Sequence, residues 1–254
     1  MLTKPNKIMK KLILIQNDYP STGKSTLAHC CARYLQEYGA PHQLLSLVDD
    51  AGNDTSGRAF DASTLTADSL LDKLDESPVT ILEVATGMGE FFQKLYQNEQ
   101  LDLILPEASV SLSVVIPVTS EHDSFDSVLE AAEVYSDNAE YTIAHLITSS
   151  YEDDDKVWDT SYAARVMDMF EAVELYIPEI GMHLEMELRA HHASLDDALM
   201  DPQADEHFGK DFTKWMGRVM GQLDSARQYL FGEAFRPTTA PKPVKKTRAK
   251  ARAL

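Results

Sequence analysis

The feature that most constrains this chain is a short apolar run followed by a loop and a helical pattern. Residues 12–15 read LILI, residues 16–26 read QNDYPSTGKST, and residues 27–39 read LAHCCARYLQEYG. A buried strand that passes through such a loop into a helix turns backbone N–H groups and the helix N-terminus toward one point. With a lysine beside them, these groups predict a phosphate site. The alternative is an ordinary strand-to-helix turn in which the GKS is incidental.

The residue types in TGKST predict separate roles in a phosphate site. Gly23 permits the tight turn into the helix, and Lys24 reaches the β- and γ-phosphates of a nucleotide. The hydroxyl of Ser25 is a ligand for Mg²⁺, and Thr26 lies near the α-phosphate. On the residues alone we therefore expect a nucleotide bound with Mg²⁺.

The rest of the chain alternates short apolar runs with longer helical patterns. Several runs are continuously apolar, which is typical of strands in a parallel sheet covered on both faces. We therefore expect an α/β fold with a doubly wound, mostly parallel sheet and helices on both faces. The predicted strands are 11–16, 42–48, 79–84, 112–118, 141–148 and 173–177; the predicted helices are 24–38, 67–75, 88–97, 123–135 and 158–171, with helical sequence from 181 to about 231.

Residues 1–235 are predicted to form one domain, with a core at about 11–200 and C-terminal helices to about 231. We expect residues 236–254 to be a disordered basic tail, because the sequence there is poor in apolar residues and broken by proline. The chain has a net charge of −18, yet residues 242–254 carry six Lys or Arg and no acid. The tail is either a solubilising end or a salt-dependent contact with DNA without sequence preference.

No apolar run approaches the roughly 18 residues of a membrane-spanning helix, and the basic N-terminus leads into only four apolar residues. We therefore expect a cytoplasmic protein. The tail also lacks the large apolar residues that an interfacial helix inserts, so membrane contact is disfavoured. Adjacent cysteines on a helix cannot form an ordinary disulfide, and Cys30 and Cys31 are expected to be small core residues.

The loop resembles the deviant phosphate loop of the ParA/MinD partition-ATPase superfamily, whose pattern is NxKGGxGK[ST]T. That pattern does not require glycine at the position of Asp18, whereas an ordinary kinase-type P-loop does. Tyr19, Pro20 and Ser21 stand where the family has its signature lysine and two glycines. The positions that match the family pattern are Asn17, Gly23, Lys24, Ser25 and Thr26.

Two later stretches resemble the switch segments of that family. LVDDAGNDTSG at 47–57 is similar to switch I, and Asp49 falls on the acid that there orients the hydrolytic water and neighbours Mg²⁺. TILEVATGMG at 80–89 is similar to switch II, with Glu83 in place of the usual aspartate. Because Glu83 is one methylene longer, we expect it to reach Mg²⁺ through water only with some shift of the strand end.

The resemblance weakens toward the C-terminus. VVIPVTSE at 114–121 resembles a strand end of the family, and VELYIPEIGMHLE at 173–185 resembles the segment that closes over the base. The resemblance thus implies ATP and Mg²⁺ as cofactors, Lys24 and Asp49 as catalytic residues, and Ser25, Asp49 and Glu83 at the metal. The implied nucleotide contacts are Asn17, Thr22, Gly23, Lys24, Ser25, Thr26, Thr148, Pro178 and Glu179.

The departures from the family pattern concern the partner subunit. The family's signature lysine reaches across a homodimer to the other subunit's phosphates, and Tyr19 carries no positive charge at neutral pH. Pro20 has no N–H, and Ser21 has a Cβ where glycine lets the backbone approach closely. Each lost charge-assisted hydrogen bond costs about 1.5–3 kcal/mol, or one to two decades of affinity. Tyr19 therefore argues against an ATP-dependent homodimer and against fast hydrolysis.

Three functions follow from these patterns. The first is a ParA-like ATPase that works as a nucleotide-dependent switch in bacterial plasmid or DNA partition, with an adaptor protein as partner and a nucleoid location if the tail binds DNA. The second is a degenerate relative that keeps the fold as an interaction module and has lost hydrolysis. The third is a small-molecule kinase, whose mark would be a lid with clustered arginines; the arginines between residues 58 and 236 are widely spaced.

Overall fold

The computed structural model describes residues 9–52, 58–146 and 154–238, and for residues 154–156 the backbone only. Seven strands form one sheet, parallel at every pairing, in the order β3-β2-β4-β1-β5-β6-β7. Helices flank it, so the predicted doubly wound α/β fold is confirmed. The strands are β1 (Lys10–Ile15), β2 (Gln43–Val48), β3 (Ala59–Asp61), β4 (Val79–Val84), β5 (Val110–Val118), β6 (Ala139–Leu146) and β7 (Val173–Ile177).

The helices cover the sheet from two sides. One core cluster includes residues of α2, α3, α4, α5 and α7, and the other includes residues of α1, α8, α9, α11 and α12. Their bounds are α1 (Lys24–Glu37), α2 (Ala67–Glu76), α3 (Gly89–Asn98), α4 (Leu101–Glu107), α5 (Asp126–Tyr135), α6 (Asp154–Asp159), α7 (Tyr162–Met169), α8 (Met182–Ala190), α9 (Leu195–Met200), α10 (Ala204–His207), α11 (Gly209–Ser225) and α12 (Arg227–Phe231).

The run LILI is apolar throughout because β1 lies at the centre of the sheet. Leu12 and Leu14 belong to one core cluster, while Ile13 and Ile15 belong to the other. The chain passes from β1 to β2 on one side and later from β4 to β5 on the other side of β1, so the strand order reverses beside β1. Ligands of open parallel sheets bind in the crevice beyond the carboxyl ends of the strands at such a switch point. The loop that follows β1 lies at that crevice.

Helix α1 returns along the sheet as its apolar spacing predicts. Leu27, Cys31 and Leu35 are buried on one face, and Gly39, which follows the helix, has a φ of 59°. Cys30 and Cys31 are both buried free thiols, as predicted. The late apolar stripe is buried in the same cluster and covers the sheet; it comprises Phe212, Trp215, Val219 and Leu223.

The structure differs from the sequence-based predictions at several boundaries. Strand β3 and helix α4 were not predicted, and the predicted helix 158–171 is two helices, because Ser161 caps the start of α7 with its side chain. Residues 236–238, at the start of the predicted tail, are among the described residues. Thr238 donates its backbone N–H to Tyr38 O and its hydroxyl to Gly39 O. Within the described residues, no helix combines the length and apolar character needed to cross a membrane.

Candidate phosphate-binding site

Asn17 fixes the loop to the end of the neighbouring strand. Its side chain is buried, and its amide nitrogen donates to Pro117 O at 2.8 Å and to Ser124 O at 2.9 Å. Its amide oxygen accepts the backbone N–H of Tyr19 at 2.8 Å. All the bonding atoms of this side chain are therefore used to hold the loop in place.

Residue 21 has a glycine-type backbone although it is a serine. Ser21 has a φ of 59°, in the left-handed region that glycine adopts without strain. Gly23 has a φ of 77° and is the residue that precedes α1; a Cβ on it would lie 2.0 Å from Leu146 Cδ2. Only glycine fits at residue 23 without displacing Leu146, and the sharp turn into the helix depends on it.

The start of α1 is open to an anion. No side chain caps this helix end, and no acidic residue lies in its first turn. The first backbone N–H groups of a helix lack partners within the helix and carry partial positive charge. The hydroxyl of Thr22, immediately before, is buried without a hydrogen-bond partner. A phosphate oxygen would satisfy these groups, so the residues present fit the phosphates of a nucleotide.

Lys24 lies in the same loop with its amine largely buried. The Nζ atom donates to Asn17 O at 2.6 Å and to Thr86 Oγ1 at 2.9 Å. Burial lowers the pKa of Lys24, and the negative charges of Asp18 and Glu83 partly oppose that change. The amine is thus held between the loop and the turn that follows β4, where a phosphate could replace part of its lost hydration.

Ser25 and Glu83 meet directly. The Ser25 hydroxyl donates to Glu83 Oε1 at 2.5 Å. Glu83 pairs in register with Ile15 on one side and with Ser46 on the other, and the ladder continues to Val84. The Glu83 side chain thus reaches the first turn of α1 from within a regular strand pairing. A hydroxyl and a carboxylate together suit Mg²⁺, which commonly takes one or two protein oxygens besides water and phosphate. No cluster of three or more His, Cys, Asp or Glu suited to a metal occurs among the described residues.

The other predicted site residues are less closely gathered. Asp49 is exposed just beyond the carboxyl end of β2, next to the strand that carries Glu83. The switch-like residues Asn53, Thr55, Ser56 and Gly57, and the predicted base contact Thr148, lie outside the described residues.

The predicted contacts to the base lie at the far side of the sheet. Pro178 and Glu179 follow β7, which is three strand positions from β1. The carbonyl of Pro178 accepts a hydrogen bond from Trp215 Nε1 at 2.7 Å, and Glu179 is exposed. Among the described residues, no hydrogen bond joins either of them to the loop. Thr26 lies in the first turn of α1, but its hydroxyl donates to Asp196 Oδ1 at 2.9 Å. Its backbone N–H is therefore the group left for the expected contact with the α-phosphate.

Several residues of the site could not be found from the sequence. Thr86 meets Lys24, Ser127 Oγ accepts the backbone N–H of Asp18 at 3.0 Å, and Asp196 meets Thr26. Each of these partners is distant in the chain, and Ser127 and Asp196 stand in no recognisable motif. The only sequence signal was the position of Thr86 in the stretch that resembles switch II.

A second polar cluster joins β6 and β7 near the same edge of the sheet. The Glu174 carboxylate accepts hydrogen bonds from Trp158 Nε1 at 3.0 Å and from the Tyr176 hydroxyl at 2.9 Å, and it lies 3.1 Å from His145 Nε2. The bond with His145, together with those from Trp158 and Tyr176, lowers the pKa of Glu174 to about 2. The cluster was not predicted, and it ties α6 to the two last strands.

No model of a known protein family matches the chain, and no curated protein matches it.

Proposed function

We propose that the chain is a ParA-like ATP-binding protein that acts as a nucleotide-dependent switch in plasmid or DNA partition, positioning or transfer. The observation that carries the proposal is the bond between Ser25 and Glu83 beside the buried amine of Lys24. A hydroxyl, a carboxylate and a lysine around an uncapped helix N-terminus, at the switch point of a parallel sheet, are the groups that hold a nucleotide phosphate with Mg²⁺.

Each residue has a task in this proposal. Lys24 and the N–H groups at the start of α1 bind the phosphates, Ser25 and Glu83 hold Mg²⁺, and Asp49 orients a water molecule. Bound Mg²⁺ and ATP would supply a terminal phosphoryl group whose hydrolysis to ADP and phosphate resets the switch. Asp49 is exposed just beyond β2, so its contribution requires its side chain to approach the bound nucleotide.

Titration calorimetry with ATP in the presence of Mg²⁺ tests the proposal. We expect binding to the unmodified chain and a loss of about 10- to 100-fold in affinity for Lys24→Met, because the charge-assisted bonds to phosphate are lost. Lys214→Met is the matched control, since Lys214 is exposed on α11 far from the loop in the chain, and it should bind as the unmodified chain does. Absence of ATP binding, or equal binding by both variants, would refute the proposal.

A second function is favoured by the start of the loop. Tyr19 supplies no cation for a second subunit, and Pro20 is exposed and offers no N–H. These residues favour a ParA-fold interaction module that binds nucleotide weakly and hydrolyses it very slowly or not at all. Sedimentation with and without a slowly hydrolysed ATP analogue separates the two: dimers that depend on the analogue support the switch, and tight binding by a monomer supports the module.

The partner and the location belong to the same proposal. An adaptor protein would read the nucleotide state, and the basic residues 242–254, outside the described residues, would contact DNA through charge alone. In that arrangement the protein is cytoplasmic and associated with the nucleoid. DNA binding that falls steeply with added salt, and disappears when residues 242–254 are deleted, is the expected result.

A further inference from the structure

Asp18 is the one loop residue whose carboxylate binds the turn after β4. Its Oδ1 atom accepts the backbone N–H of Gly87 at 2.9 Å and that of Gly89 at 3.2 Å. Its own backbone N–H donates to Ser127 Oγ. A Cβ added to Gly89 would lie 2.5 Å from Asp18 Oδ2, so the close approach of the carboxylate depends on glycine there.

The turn after β4 meets both charges of the loop. Its Thr86 hydroxyl accepts from the Lys24 amine, while the N–H groups of Gly87 and Gly89 hold the Asp18 carboxylate. Gly87 has a φ of 84°, and backbone that passes through such conformations turns nearby N–H groups toward one anion. The turn therefore forms a site for an anion beside Lys24, and the carboxylate of Asp18 already occupies that site.

A terminal phosphate bound by Lys24 would lie beside the same turn, because Thr86 of that turn accepts a hydrogen bond from the Lys24 amine. In P-loop nucleotide switches, the γ-phosphate and its Mg²⁺ order the switch segments, and a diphosphate lacks that group. We propose that Asp18 is a nucleotide-specificity residue: its carboxylate competes with the terminal phosphate of ATP for the N–H groups of Gly87 and Gly89, so that the chain favours ADP over ATP. The inference rests on the proposed nucleotide binding and adds to it a reason for discrimination between the two nucleotides.

The surrounding charge acts in the same direction. Burial raises the pKa of Glu130, and the negative charges of Asp18, Asp126 and Glu90 raise it further. The carboxylate of Asp18 is thus one of four that act on one another, and the cation Lys94 is paired with Glu90 at 2.6 Å. A triphosphate carries more negative charge than a diphosphate, so these carboxylates repel it more strongly. It also finds the N–H groups of Gly87 and Gly89 already bonded to Asp18.

The test compares the affinity for ADP with that for a slowly hydrolysed ATP analogue, both with Mg²⁺, by calorimetry. For Asp18→Asn, which removes the charge, and Asp18→Ala, which removes the bonds, we expect the analogue to gain about tenfold relative to ADP. Glu130→Gln is the matched control: it removes an equal charge from the same group of acids and leaves the bonds to Gly87 and Gly89 intact. Its ratio should change less than twofold.

A second measurement needs no nucleotide. Hydrogen exchange of a peptide spanning residues 85–89 should accelerate in Asp18→Ala and stay unchanged in Glu130→Gln, while urea unfolding checks that each variant is folded. An unchanged affinity ratio in both Asp18 variants, with nucleotide binding intact, overturns the inference and leaves the proposed function standing. If the unmodified chain binds neither nucleotide, the proposed function fails and the inference fails with it.

Discussion

The two halves of the loop between β1 and α1 are held in opposite ways. We call residues 17–21 the anchored half and residues 22–26 the open half. In the anchored half, Asn17 and Asp18 hydrogen-bond to β5, to the segment before α5 and to the turn after β4. The open half begins with a buried hydroxyl without a partner and an uncapped helix N-terminus. The chain itself thus satisfies one half of the loop and leaves polar groups of the other half for a ligand.

Under the proposed function, this division would explain how a phosphate site persists beside residues that depart from the family pattern. Tyr19, Pro20 and Ser21 all lie in the anchored half, where the contacts come from Asn17 and Asp18 and not from the three replaced side chains. The groups that suit phosphate and metal, Lys24 and Ser25, lie in the open half. Under the proposed function, these three residues therefore bear more on contact with a second subunit than on contact with a nucleotide.

The largest expected effect is the loss of the anchor. Asn17→Ala removes two donated bonds and one accepted bond from a side chain that is 1% exposed, and it leaves the buried carbonyls of Pro117 and Ser124 short of a donor. We expect the free energy of unfolding in urea to fall by about 3 kcal/mol. Asn138→Ala, at an exposed site, should change it by less than about 0.5 kcal/mol. A loss below about 1 kcal/mol for Asn17→Ala would mean that this half is not anchored as described.

The next effect concerns the turn at the start of the open half. Gly23→Ala forces a Cβ into a left-handed conformation and against Leu146, and we expect a loss of about 2 kcal/mol in stability. Gly217→Ala gives the matched control with the opposite sign. Gly217 lies within α11 with no atom near its added Cβ, so alanine should stabilise the helix by about 1 kcal/mol. If both variants change the free energy of unfolding in urea in the same direction, the conformation and packing of residue 23 do not require glycine.

How much of this was predictable differs between the two halves. The strand and the sharp turn into α1 follow from LILI and TGKST, because burial periodicity and turn geometry act over a few residues. The anchors do not, because Asp18 meets Gly87 and Gly89 across separations of 69 and 71 residues. The contact of Asn17 with Ser124 spans 107 residues. A separate strand β3 was missed because only three residues form it, and α4 because it starts three residues after α3 ends and contains Pro106.

A smaller effect measures whether the open half awaits a ligand. Thr22→Val replaces the unpartnered buried hydroxyl with a methyl group of similar size, and the free energy of unfolding should rise by about 1 kcal/mol. Under the proposed function, affinity for ATP should fall severalfold at the same time. Thr142→Val is the control, since Thr142 also has a buried hydroxyl without a partner but lies within β6. It should give the same gain in stability and leave ATP binding unchanged. A loss of stability in Thr22→Val would show that its hydroxyl is already satisfied.

The smallest expected effect concerns the backbone conformation of the anchored half, at Ser21. Ser21 holds a left-handed φ of 59°, which costs a residue with a Cβ about 1–2 kcal/mol, whereas glycine adopts it freely but loses more chain entropy on folding. We therefore expect Ser21→Gly to raise the free energy of unfolding by about 0.5 kcal/mol, and Ser21→Ala to give no gain. If glycine lowers stability instead, the backbone at residue 21 is not of the glycine type. If it raises stability, Ser21 holds a glycine-type conformation at the cost of strain. Under the proposed function, the difference from the family pattern that matters is then the uncharged Tyr19, because it bears on contact with a second subunit and not on the shape of the loop.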